Sequence, residues 1–312
     1  MTRTFLAPAL RSRNFRLFWL AQIVSTIGTS LQVIAEGYLI YDLTDSTFWL
    51  GAVGFIALLP VIPISLAGGV LIDRLPRRRL LLVTQTGLML QAAAFGFLAI
   101  TDRIELWNVI LLYFIFGALL AIDNPARRAF LVDIVEREDL ANAVALNATI
   151  FNISSVVGFA LGGVLIAAVG VGSTMLLNSL SYIFPISALA LIRVADVGQD
   201  QERKSFGVAM TEGFVTLWRQ PTILGVIAIT TVVGGLAYPV FGLMQAYAKD
   251  IMGVDSVGLV ILLSAVAFGS VLGTFGAALL GTSRRGHSLM IASFLLPLLV
   301  IGVAHAPNMI MA

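Results

Sequence analysis

The chain has no cysteine, two histidines and, at Lys204 and Lys249, only two lysines. Without cysteine there is no disulfide, no thiol nucleophile and no thiolate ligand for a metal. His287 and His305 fall on opposite sides of the span pattern set out below, which argues against a metal centre or a Ser-His-Asp triad. Neither lysine belongs to a Gly-Lys-Ser/Thr run, so there is no phosphate-cradling loop and no ATP-driven step within this chain. The residues point to no enzyme and imply no cofactor. Charge is scarce as well. Asp, Glu, Lys and Arg make up 12% of the chain, against about 25% in soluble domains.

Apolar residues fill the gap at 59%, and mean hydropathy is +0.98. Such a chain needs lipid around it. Apolar runs of about 20 residues occur at 17–41, 47–72, 80–100, 106–122, 143–168, 172–192, 222–247, 257–280 and 287–305, giving nine candidate spans. Each span must satisfy its own backbone in hydrocarbon, so helices are expected and a barrel's alternating segments are missing. The fold class is an all-α integral membrane protein. The first apolar run is too long for a signal-peptide core and should stay as a helix.

The sign of the few charges is sorted. Seventeen of the 19 Lys and Arg fall on one side of the nine spans; only Arg103 and Lys249 fall on the other. The positive-inside rule then places the N-terminus in the cytoplasm of a multi-pass protein, in a bacterial inner (plasma) membrane. The cations sit at helix ends in five separate loops, which is not the layout of a nucleic-acid surface.

The longest polar stretch, 194–221, separates six spans (11–193) from three (222–312). Within it Phe206, Met210, Phe214, Leu217 and Trp218 recur at helical spacing, predicting an amphipathic helix. That helix either lies on the cytoplasmic membrane surface or packs under the bundle. A shift of 207 residues superposes Gly28 on Gly235, Gly51 on Gly258, Gly69 on Gly276, and Arg77-Arg78 on Arg284-Arg285. The halves therefore read as a parallel repeat.

Three patterns carry candidate sites. On the first span Gln22, Ser25, Thr29, Gln32 and Glu36 are spaced by three, four, three and four, which puts all five on one helical face. Facing lipid, Glu36 alone would cost about 2.5–3.5 kcal/mol at the bilayer centre. The face should therefore meet a wet substrate cavity, with Glu36 taking a cation or proton, or else bond to a neighbouring helix. On the fifth span Gly158, Gly162 and Gly163 form a close-packing motif. Between the second and third spans Gly69, Asp73, Arg74, Arg77 and Arg78 make a charged hinge, with a worn second copy at Gly276, Arg284 and Arg285. Pro125 is expected to end the fourth span, leaving Asp123, Asn124, Arg127 and Arg128 at its close and no arginine inside it.

The hinge resembles the signature loop of the major facilitator superfamily, Gly-x-x-x-Asp-Arg/Lys-x-Gly-Arg/Lys-Arg/Lys, with Pro76 at the second glycine's place. Gly158-Phe159-Ala160-Leu161-Gly162-Gly163 resembles the Gly-Pro-x-x-Gly-Gly motif of superfamily antiporters, with Phe159 replacing proline. Together with Glu36–Thr44, Asn124-Pro125-Ala126-Arg127 and Ala141-Asn142-Ala143, the chain resembles the branch holding the enterobactin exporter and macrolide efflux proteins. Members of that branch typically carry glutamine where Glu36 stands.

The resemblance implies a major facilitator fold, here a six-helix N-terminal bundle plus about three helices of a second bundle. Twelve helices are the family norm, so a C-terminally truncated product or a fragment is expected. It also implies a secondary transporter in the lipid bilayer: proton-coupled export of small amphiphilic molecules, such as siderophores or macrolides, by alternating access. The partners are a small-molecule substrate and protons, with no nucleic acid, and a monomer is favoured. By the same resemblance the hinge is a cytoplasmic gating latch whose Asp73 meets the second half. An importer or lysophospholipid flippase of the same fold, or a truncated non-transporting membrane protein, are the open alternatives.

Overall fold

A computed structural model describes residues 8–61, 63–64 and 75–193, with scattered positions beyond. The linker 194–221 lies almost wholly outside the described residues, as do Gly69, Asp73, Arg74, Gly276, Arg284 and Arg285 and most of the last three spans.

Among the described residues six helices can be traced in order: α1 (Arg13–Thr44), α2 (Thr47–Leu58), α3 (Arg77–Ile100), α4 (Leu106–Ile134), α5 (Leu140–Ser181) and α6 (Ile183–Leu191). Short 3-10 turns at Pro8–Arg11 and Arg137–Asp139 precede α1 and α5. Four helical runs among the described residues are long and apolar enough to cross a membrane.

Local chemistry sets several ends. Ser12 caps α1, its hydroxyl accepting from the Phe15 N–H at 3.3 Å while donating to the Ile134 carbonyl at 3.0 Å. The start of α1 is thereby tied to the end of α4. At the other end Asp45 adopts a left-handed conformation (φ 44°) and its N–H returns to Tyr41. Glu105 and Asn108 form a reciprocal cap on α4. Gly170 (φ 79°, ψ 169°) breaks α5, in a backbone region open essentially to glycine alone. The break falls in the gap between the expected spans 143–168 and 172–192. Pro185 has no N–H for the Ser181 carbonyl, so the helix is interrupted at Tyr182 before resuming as α6.

The expectation at Pro125 is corrected. α4 runs through it to Ile134. The proline forfeits one backbone bond, and the Asp123–Arg127 ion pair reaches across it from one turn to the next. A membrane helix tolerates this where neighbouring groups take up the freed polar atoms. The fourth helix therefore does contain arginines, Arg127 and Arg128.

α1 is central and has α5 as its principal partner, with α2, α4 and α6 also against it. Apolar clusters fill both ends of the bundle. One gathers Ile34, Leu39, Ile40, Val53, Phe95, Val109 and Met175. The other gathers Phe15, Phe18, Leu81, Phe130, Leu131 and Leu189, with Phe18 and Phe130 edge to face at 5.6 Å. Burial of these side chains contributes about 1.5–3 kcal/mol each against exposure to water, but lipid weakens that drive. Close backbone approach matters more in a bilayer. A Cβ on Gly158 would come 2.5 Å from Ser30 Cβ and 2.7 Å from the Ile27 carbonyl, and one on Gly162 would meet Ile34. These two glycines let α5 lie against α1; Gly163 beside them is buried.

Candidate functional site

The polar face of α1 points into the bundle. Gln22, Ser25, Gln32 and Glu36 are each at most 2% exposed, and Thr29 is partly buried. The structure does not leave them as one bare wall. They are bonded into two centres joined by a thinner stretch.

The first centre surrounds Glu36. Its Oε1 accepts from Gln32 Nε2 at 2.6 Å, and Tyr113 of α4 and Gln91 of α3 also bond to the carboxyl. Gln32 donates as well to Gln91 Oε1 (3.1 Å) and accepts from Asn178 of α5. Gln91 passes its own amide to the Leu112 carbonyl at 3.3 Å. Among the described residues no cation acts on Glu36. The carboxyl group is thus held by neutral donors, in surroundings where a bare charge is expensive.

The second centre lies on α4, toward the end where α1 begins. Asp123 is fully buried and accepts from Thr84 (2.6 Å), Gln85 (2.8 Å) and the Arg127 guanidinium through Nε (3.1 Å) and Nη2. Arg127 also donates to Gln22. Gln85 Oε1 is buried and has no bonded partner among the described residues. Spacing on α1 alone finds Gln22 but not its partners. The available signal was Asp123 and Arg127 at i,i+4, which an expected helix end at 122 concealed.

Between the two, Thr29 Oγ1 lies 3.3 Å from the Tyr182 hydroxyl, and Tyr182 also bonds Asn178. Asn178 and Ser181 fill the notch left by Gly28, where a Cβ would strike both side chains. Thr84 and Gln91 are seven residues apart, and Thr174, Asn178, Ser181 and Tyr182 share a helical face, a spacing that could have marked them; packing brings them to α1.

The hinge arginines are described in part. Arg77 donates to Asp133 (2.6 Å) and to the Ala129 carbonyl (3.1 Å). Arg78 donates to the carbonyls of Leu189 (2.6 Å) and Ala190 (2.8 Å). Both therefore fasten the start of α3 to the later turns of α4 and α6. At α6 the Arg78 guanidinium meets two carbonyls of the last turn, which a helix C-terminus otherwise leaves open.

A family described as transmembrane secretion effector, within the major facilitators, matches residues 3–312. The chain is 26% identical over 316 residues to the multidrug efflux pump Tap of Mycolicibacterium fortuitum, covering 97% of this chain and 74% of that one. It is 25% identical over 172 residues to the staphyloferrin A transporter of Staphylococcus aureus, covering 55% and 43%. It is 21% identical over 282 residues to macrolide efflux protein A of Streptococcus pyogenes, covering 90% and 70%.

Proposed function

Because the chain belongs to the transmembrane secretion effector family of the major facilitators, we propose that it is a secondary transporter that exports small amphiphilic molecules by alternating access, driven by protons. The family is one of transporters rather than enzymes, and the protein is a multi-pass membrane protein. The relatives named above are efflux pumps and a siderophore transporter, which favours siderophore-like or macrolide-like cargo. The charge asymmetry supports a cytoplasmic N-terminus in the plasma membrane.

The observation that carries the reading is Glu36: a buried carboxyl group toward the Thr44 end of α1, held by amides and a phenol and, among the described residues, not by a cation. An ionisable residue placed so is a functional site by default in a membrane. Its role here is to take the coupling proton on one side and release it on the other. Gln22, Ser25, Thr29 and Gln32 form the rest of the substrate-facing wall, exposed to cargo as the helices part. Asp73 and Arg74 act as the gating latch on the cytoplasmic side. Arg77 and Arg78 give that latch a rigid base on α4 and α6.

The test is ethidium accumulation in everted membrane vesicles energised by a pH gradient. Wild-type chain should accumulate the dye, and Glu36→Gln should abolish accumulation with membrane insertion intact. Undiminished accumulation in that variant would remove Glu36 from the coupling step. Accumulation confined to right-side-out vesicles would make the protein an importer, and movement of lysophospholipid instead of dye a flippase.

A further inference from the structure

The bonds between the two polar centres run in one direction. Thr29 has a single hydroxyl proton, directed at the Ser25 carbonyl at 3.0 Å. In its 3.3 Å contact with Tyr182 the phenol is therefore the donor. That leaves the Tyr182 oxygen to accept, and the Asn178 side chain bonds to it. Asn178 Nδ2 also donates to Gln32 Oε1, while Ser181 Oγ fixes Asn178 Oδ1 at 3.2 Å. Gln32 in turn directs both amide protons outward, to Glu36 and Gln91. No amide in this series can turn over without breaking a neighbour's bond, and buried networks of this kind act as a unit.

We propose that Asn178 and Tyr182 are positioning residues that couple the charge on Glu36 to the inner turns of α1. The proposal rests on the role given to Glu36 above. A charged Glu36 requires Gln32 to present its amide protons, and the series follows from that orientation. A proton or cation at Glu36 lifts the requirement. Gln32 is then held only by Gln91 and Asn178, and the weaker hold loosens Asn178, then Tyr182, then Thr29 one turn from Ser25 on α1. Gly28 keeps the link short, since any Cβ there would displace Asn178 and Ser181 from α1.

Two readouts on the full chain in lipid vesicles test this. In infrared spectra with isotope-labelled glutamate, the Glu36 carboxyl band is the one missing from Glu36→Gln. Tyr182→Phe keeps the ring and its packing, yet should shift that band although two side chains separate Tyr182 from Glu36. Gly28→Ala should shift it in the same sense. A band unmoved in both variants overturns the coupling. In everted vesicles, Tyr182→Phe should lower ethidium accumulation roughly two- to tenfold, the scale of one lost hydrogen bond, while its melting temperature falls by only about 2–4 °C. Unchanged accumulation, or a melting temperature lowered by more than about 8 °C, reduces the residues to scaffolding. If the wild-type chain moves no ethidium, the transport reading fails, and the infrared band alone decides the coupling.

Discussion

Asp123→Ala should be the most damaging single truncation in the described bundle. The carboxylate is fully buried and takes bonds from Thr84, Gln85 and Arg127. Removing it leaves a guanidinium whose remaining described partner is Gln22, and breaking a buried ion pair costs about 3–5 kcal/mol. Gln85 suffers too. Its Oε1 already lacks a partner among the described residues, and its amide would now lose one as well, a further cost of about 1–3 kcal/mol. Arg127 is 19% exposed in its side chain, so water and the membrane interface recover part of the first cost. A net loss of about 4 kcal/mol follows from these terms. At about 2–4 °C per kcal/mol, that lowers the melting temperature by roughly 8–16 °C. Asp123→Asn keeps an oxygen for Thr84 and Gln85 but sets an amide NH2 against the two Arg127 donors, so it should cost less than the Ala variant while keeping most of the ion-pair loss. The double variant Asp123→Asn, Arg127→Gln removes both charges and should recover most of that loss. Intrinsic tryptophan fluorescence of the purified chain in nanodiscs reads all three. An Asp123→Ala melting point within about 2 °C of wild type would refute the reasoning, and so would an Asn variant as damaging as the Ala variant.

Gly158→Ala places a methyl group against Ser30 and the Ile27 carbonyl and should destabilise by about 1–3 kcal/mol. Gly162→Ala meets only the flexible end of Ile34 at 3.1 Å and should be milder; thermal melting ranks the two. Gly170→Ala has open space but a φ of 79°, so strain of about 1–3 kcal/mol should appear without any packing change. Arg77 and Asp133 are 18% and 30% exposed, and a double-mutant cycle on melting should give a coupling of at most about 1 kcal/mol. The cysteine-free chain allows a direct test of orientation. A membrane-impermeant maleimide should label Arg103→Cys in intact cells and Glu138→Cys only after permeabilisation.

How much was legible beforehand differs by element. The inward face of α1 could be read because helical spacing and the cost of polar atoms in lipid act within one segment. Glu36, Gln32 and Gln22 were found that way, and all three are buried. The close-packing glycines were legible for a similar reason, since Gly158 and Gly162 have no side chain to hold α1 away. The end of α4 was misread because a rule about one residue, Pro125, was applied without its neighbours. Asp123 and Arg127 bridge that turn, and the helix continues.

The amino-acid sequence by itself determined the solvent, the helical class, the spans around α1 to α6 and the sorting of charge. Each follows from local composition or from periodicity along one segment. Tertiary structure alone decided that Gln91 and Tyr113 complete the surroundings of Glu36, that Asn178 ties Gln32 to Tyr182, and that Arg77 and Arg78 grip α4 and α6. Asn178 and Gln32 are 146 residues apart in the chain. Spacing along one helix can show that Asn178 and Tyr182 share a face, but only packing shows which side chains they bond.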